Sequence, residues 1–113
     1  MKRAVWISYD LGVKGDYPGL YKWLDTKKAK ECGGNVAYFV FEYKNDIIAE
    51  LKTEITKNVN FKNGDKIYLI YSRVELDELN KTITNTKGIF IIGNRRAAPW
   101  EGYAPIDENK EDF

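Results

Sequence analysis

Histidine is missing from this chain, cysteine occurs once (Cys32) and serine twice (Ser8 and Ser72). Without imidazole there is no Ser-His or Cys-His nucleophile pair, no histidine general base and no His-ligated zinc. A lone thiol excludes an internal disulfide and a multi-cysteine metal centre, and it suits a reducing cytoplasm, where the protein is expected. Long apolar runs are missing as well: the stretch after Met1-Lys2-Arg3 is stopped by Asp10, far short of the roughly 20 residues that cross a bilayer. Neither a signal peptide nor a membrane partner is expected. An enzyme built from this chain would work with carboxylates, tyrosines, lysine or arginine, and a metal.

Charge of one sign is not in excess either. Eighteen Lys and Arg face seventeen Asp and Glu, a net charge of +1, so no global field advertises a polyanionic partner. The balance is uneven along the chain, because residues 107–113 hold four acids and one lysine and leave a mildly basic body. With 113 residues, of which 43% are hydrophobic and 14% aromatic, the chain reads as one folded domain and not as a disordered tract.

Arg3 to Tyr9 is apolar, β-branched and aromatic, the composition of a buried central strand. A glycine-bearing loop follows, and Asp16 then caps a helix with Pro18 in its first turn. Tyr17, Leu20, Tyr21 and Leu24 fall on one face of that helix, which fades near Thr26 to Lys28. Ala29 to Tyr43 reads as a hairpin around Gly33-Gly34-Asn35, with Val36 to Tyr43 as its stronger arm. Asn45 or Asp46 caps a second helix that turns Ile47, Ile48, Leu51, Ile55 and Val59 inward. Lys62 to Asp65 is a turn, and Lys66 to Tyr71 a strand.

The order strand, helix, hairpin, helix, strand predicts an α+β fold, the ferredoxin-like βαββαβ plait. That plait is a four-stranded antiparallel sheet with two helices on one face, and residues 1–72 are its core. Residues 73–106 read as an extension of the same domain: a short helix over Val74 to Ile83, a fifth strand at Gly88 to Gly93, then a loop. The helix rests on the spacing of Leu76, Leu79 and Ile83. Residues 107–113 read as a frayed acidic tail.

Asp10 closes the first strand, where a carboxylate reaches a hard cation or a polar substrate, or caps the loop. Arg95 and Arg96 follow the fifth strand, with Trp100 and Tyr103 close behind. Together they could clamp a phosphate and stack a base. Alternatively the arginines are solvated and Trp100 pins the terminal segment to the sheet, or the aromatics form a dimer contact. Tyr9, Tyr38, Tyr43, Tyr68 and Tyr71 lie on strands, and alternation sends some of them to the face opposite the helices. There they serve as a stacking platform or lie under a second protomer's sheet. Cys32 reads as a small hydrophobe packed at the hairpin.

Ile7-Ser8-Tyr9-Asp10-Leu11, its glycine-bearing loop and Asp16-Tyr17-Pro18-Gly19-Leu20-Tyr21 resemble the opening of the SinR-like small proteins. These group with the small CRISPR-associated adaptation subunit (the second Cas protein) and the VapD-type ribonucleases in one ferredoxin-like superfamily. The resemblance runs over residues 3–72, through Val40-Phe41-Glu42 and the Asp65 to Tyr71 strand. It implies a homodimer in which Asp10 of each protomer holds Mg²⁺ or Mn²⁺ at the two-fold axis for phosphodiester hydrolysis of RNA or DNA. Further polar residues found near the site in catalytic members have no match in this chain.

Three functions stay open. One is a non-catalytic homodimer that associates with nucleic acid or acts as a scaffold, and another is a metal-dependent nuclease using Asp10. The third is a protein interaction module. The residues favour the first, since a near-neutral body with one candidate ligand offers little for phosphoryl transfer.

Overall fold

The computed structural model describes residues 1–95 and 97–104. Its elements are β1 (Lys2–Asp10), α1 (Tyr17–Thr26), β2 (Lys30–Glu31), β3 (Val36–Glu42), α2 (Ile47–Asn58), β4 (Lys66–Leu76) and β5 (Thr82–Ile92). The strands form one five-stranded sheet in the order β2-β3-β1-β4-β5, antiparallel at every pairing. This α+β arrangement is compatible with a ferredoxin-like plait; it departs from the four-stranded form in strand count and order because β5 is added outside β4. No described helix is long and apolar enough to cross a membrane.

Alternation sorts the strand residues between two faces. Val5, Ile7 and Tyr9 of β1, Ala37, Phe39 and Phe41 of β3, and Ile67, Leu69 and Tyr71 of β4 are buried in the core. Leu20, Trp23 and Leu24 of α1 and Ile47, Leu51 and Ile55 of α2 join the same cluster. Each fully buried aliphatic side chain contributes about 1.5–3 kcal/mol relative to exposure. Asp16 and Asp46 both act as expected, accepting from Gly19 N at 3.0 Å and from Ile48 N and Ala49 N at 3.1 Å. The stripe on α1 is shifted, however. Tyr21 is half exposed and Trp23 takes its place in the core. There Trp23 Nε1 donates to Glu54 Oε2 of α2 at 2.9 Å, and Lys27 ion-pairs with the same carboxylate.

The short helix expected at Val74 to Ile83 is not formed. β4 continues to Leu76, turns, and returns as β5 from Thr82, six residues before the expected start at Gly88. The turn explains the difference. Asp77 Oδ1 accepts from Leu79 N at 2.9 Å and Lys81 N at 2.8 Å, and Asn80 adopts the left-handed φ of 58°. Asp77 thus organises a side-chain-closed turn. Val74, Thr82, Ile83, Thr84 and Thr86 then favour the extended chain.

Among the described residues, Asp65 is the buried charged one, 2% exposed. Its carboxylate accepts from Gly12 N at 2.8 Å and Lys62 N at 2.8 Å, tying the β1–α1 loop to the turn before β4. Gly93 passes against the Asp65 carbonyl with φ +80°, where an added Cβ would lie 2.4 Å from that oxygen. Only glycine fits there. Asp65→Ala leaves both amides without their acceptor, and its expected loss in urea unfolding is about 2–4 kcal/mol. Asp65→Asn, which retains one carbonyl oxygen, is expected to lose less.

Candidate functional site

The sheet face turned away from the helices carries two pairs of aromatic side chains. Trp6 of β1 and Tyr38 of β3 are register partners, with ring centroids 5.1 Å apart. Tyr68 of β4 faces Phe90 of β5 at 4.8 Å in an edge-to-face arrangement. Ile70, opposite Trp6, lies between the two pairs, and Ala4, Ser8 and Gly88 are the small residues around them. Gly88 is small for a reason: a Cβ there would lie 2.2 Å from the Tyr68 hydroxyl, so the phenol occupies the space above the glycine. Trp6, Tyr38, Tyr68 and Phe90 are each partly buried by their neighbours, and Val40 stands half exposed beside them. Of the strand tyrosines, Tyr38 and Tyr68 reach this open face. Tyr9 and Tyr71, with Tyr43 just past β3, are buried on the helix side.

Asp10 is exposed at the end of β1, and its register partner on β4 is Lys66. Alternation from Trp6 through Ser8 puts Asp10 on the open face too. Among the described residues, no group of three or more His, Cys, Asp or Glu side chains is placed to hold a metal ion. Asp16 and Asp65, carboxylates of the adjoining loops, are engaged by backbone amides: Asp16 by Gly19 N and by Asn60 N at 2.9 Å, Asp65 as above. Those two amides hold the Asp16 carboxyl below its usual range, that of Asn60 foremost.

Arg95 is exposed just beyond β5; Arg96 lies outside the described residues, as does the tail from 107 to 113. Trp100 and Tyr103 share one turn, in which Tyr103 N donates to Trp100 O at 3.1 Å. Their side chains are 74% and 83% exposed, so Trp100 does not pin the terminal segment to its own sheet. Cys32 is exposed as well, with its thiol directed at the Lys30 carbonyl, and is not packed at the hairpin as expected.

A second feature escaped the sequence reading. Tyr9, Tyr17 and Tyr21 form a ring cluster with centroids 5.7–6.5 Å apart. Tyr9 and Tyr21 line a shallow cavity of about 400 Å³ with Asp25, Lys30, Glu31 and Ala37. The i, i+4 spacing of Tyr17 and Tyr21 was visible, but their meeting with Tyr9 depends on how α1 crosses β1. Comparison with protein-family models, with curated proteins and with solved structures yields no match.

Burial raises the Tyr9 phenol above its ordinary value, and the neighbouring Tyr21 hydroxyl, Glu31 and Tyr17 add to the shift. A pKa raised by folding means that the stability this phenol contributes is complete below the unfolded value of about 10 and is lost as pH rises through the folded one. A titration followed at 295 nm is therefore expected to show the Tyr9 phenol ionising above the usual tyrosine range. Tyr9→Phe removes that step and flattens the alkaline loss of stability.

Proposed function

We propose that this protein is a small, self-associating, nucleic-acid-associated protein of the ferredoxin-like superfamily its first 72 residues resemble, and that it acts in the cytoplasm by binding and not by strong catalysis. The observation that carries this reading is the open sheet face. Trp6, Tyr38, Tyr68, Ile70 and Phe90 form a contiguous apolar surface on a layer whose other side is already covered. Surfaces of this kind mark interfaces, and a second copy of the same face is self-complementary to it. Arg95, Arg96, Trp100 and Tyr103 are the nucleic-acid element: arginine for phosphate and exposed rings for unpaired bases.

A divalent-metal nuclease is the second reading, and one observation favours it. Asp10 shares the open face with Trp6, so two copies stacked about a two-fold axis near the end of β1 would bring two Asp10 carboxylates toward each other, where Mg²⁺ or Mn²⁺ could be held.

Light scattering at about 100 μM, a concentration typical of weak dimers, is expected to give twice the 13.1 kDa chain mass, and Trp6→Glu to give the monomer. A wild-type monomer removes the self-association reading. Binding of a labelled single-stranded oligonucleotide at about 50 mM salt is expected to weaken as salt rises and on Arg95→Ala/Trp100→Ala. No complex at that salt removes the nucleic-acid reading. Cleavage that stops with EDTA and with Asp10→Asn establishes the nuclease; cleavage surviving both excludes Asp10 chemistry.

A further inference from the structure

The cavity between α1 and the β2–β3 hairpin belongs neither to the open face nor to the Arg95 loop. It measures about 400 Å³, within the range of about 300–1,000 Å³ typical of small-molecule sites. The pairing of β2 sorts its charged side chains. Glu31 lies opposite Ala37, and Lys30 opposite Tyr38. Ala37 is a core residue on the helix side, so Glu31 stands over the cavity while alternation sends the Lys30 side chain to the other face of the sheet. On α1, Tyr21 and Asp25 are one turn apart, at i and i+4, and reach the cavity together.

Two carboxylates, two phenols and an apolar floor thus converge. Leu24 and Ala37 supply the buried floor. Tyr21 is half exposed and stands edge-to-face with Tyr9, centroids 6.2 Å apart and planes at 74°. Tyr17 packs against Tyr21 at 5.7 Å, its own hydroxyl donating to the Leu11 carbonyl at 3.0 Å. Among the described residues, neither the Asp25 nor the Glu31 carboxylate makes a hydrogen bond or an ion pair. Lys27, two residues beyond Asp25, is drawn instead to Glu54. The acids of the caps and turns behave differently: Asp16, Asp46, Glu50 and Asp65 all accept from backbone amides. Burial foremost, and then Tyr21 and Glu31, raise the Tyr9 phenol, so the cavity offers neutral phenol oxygens beside two anionic groups.

We propose that this cavity binds a primary alkylammonium ion, its head between the Asp25 and Glu31 carboxylates and its stem along Leu24 and the Tyr21 ring. The chemistry of the lining selects that ligand. An ammonium group has N–H donors and no acceptor, so carboxylate and phenol oxygens complement it, and the face of a tyrosine ring attracts a cation. A hard divalent cation wants about six or more oxygens, and among the described residues no group of three His, Cys, Asp or Glu side chains is placed to hold one. An anion meets two carboxylates of its own sign. A neutral apolar molecule gains nothing from them. The same head and stem occur in a free amine and in a lysine side chain. The cavity lies on the helix side of the sheet, so the proposal is independent of self-association through the open face.

Isothermal titration of the full chain with n-butylammonium chloride at constant ionic strength tests this, with a dissociation constant of about 1 mM expected. Asp25→Asn/Glu31→Gln is expected to weaken binding at least about tenfold, and Tyr21→Leu about threefold. Lys30→Gln, on the other face, is expected to leave it unchanged. All four side chains are exposed, so the circular dichroism spectra of the variants are expected to match the wild type. Nuclear Overhauser contacts are expected between the butyl protons and the Tyr9 and Tyr21 rings. Binding that survives Asp25→Asn/Glu31→Gln, or equal binding of neutral 1-butanol, overturns the proposal. Titration of Nα-acetyl-lysine N-methylamide distinguishes the two sources of the head group. The proposal stands if either compound binds, with a peptide lysine as ligand where the amide does and a free amine where only the butyl compound does. Binding of neither at about 20 mM, some twentyfold above the expected constant, overturns it.

Discussion

β1 is hydrogen-bonded along both edges, to β3 and to β4, and the rest of the structure depends on that position. A central strand has no edge to offer, so its identity lies wholly in its two faces. Val5, Ile7 and Tyr9 point to the helices; Ala4, Trp6, Ser8 and Asp10 point the other way. A one-residue slip would exchange the two sets and drive Asp10 and Ser8 into the core. The register is therefore fixed, and through it the placement of Tyr38, Ile70 and Tyr68 around Trp6. A two-layer α+β fold covers one face of its sheet with helices and leaves the other to water or to a partner. Here that remaining face is aromatic.

Much of this was legible because the decisive signals are local. The β-branched run around Val5 and Ile7, the side-chain caps Asp16 and Asp46 and the inward stripe of α2 are each settled within a few residues. What escaped was settled by distant contacts. Trp23 is buried in place of Tyr21 because Glu54, 31 residues away, accepts its indole N–H. Asp65 looks like any turn residue until the fold brings Gly12 N, 53 residues away, against its carboxylate.

The distal end of the β4–β5 hairpin shows two periodicities competing in one segment. Leu76, Leu79 and Ile83 match a helical stripe, yet Val74 and Leu76 on one side and Thr82, Thr84 and Thr86 on the other match a ribbon. β-branching decides for the ribbon, and Asp77 closes its turn. The candidate site divides along the same line. The positions of Asp10, Arg95, Trp100 and Tyr103 at strand ends and in a loop followed from the chain order. Their exposure follows from the same placement, because loops beyond a sheet edge have few neighbours to cover them. Nothing local could say that Asp10 would share a face with Trp6, since that requires the strand's phase.

That shared face couples two properties that would otherwise be independent. If a second copy covers Trp6 and Tyr68, Asp10 and Lys66 at the rim of the same face lose water together. A carboxylate withdrawn from water needs a compensating charge, and Lys66, its register partner, brings one from the same chain. A divalent cation at that place has to compete with two such ammonium groups in a two-fold pair. Closer packing of the faces strengthens the lysine's claim, because Coulomb attraction grows as the local dielectric falls. A metal-dependent activity would thus demand a loosely apposed rim, whereas tight association through the aromatic face favours a closed ionic rim and a protein that binds without cutting.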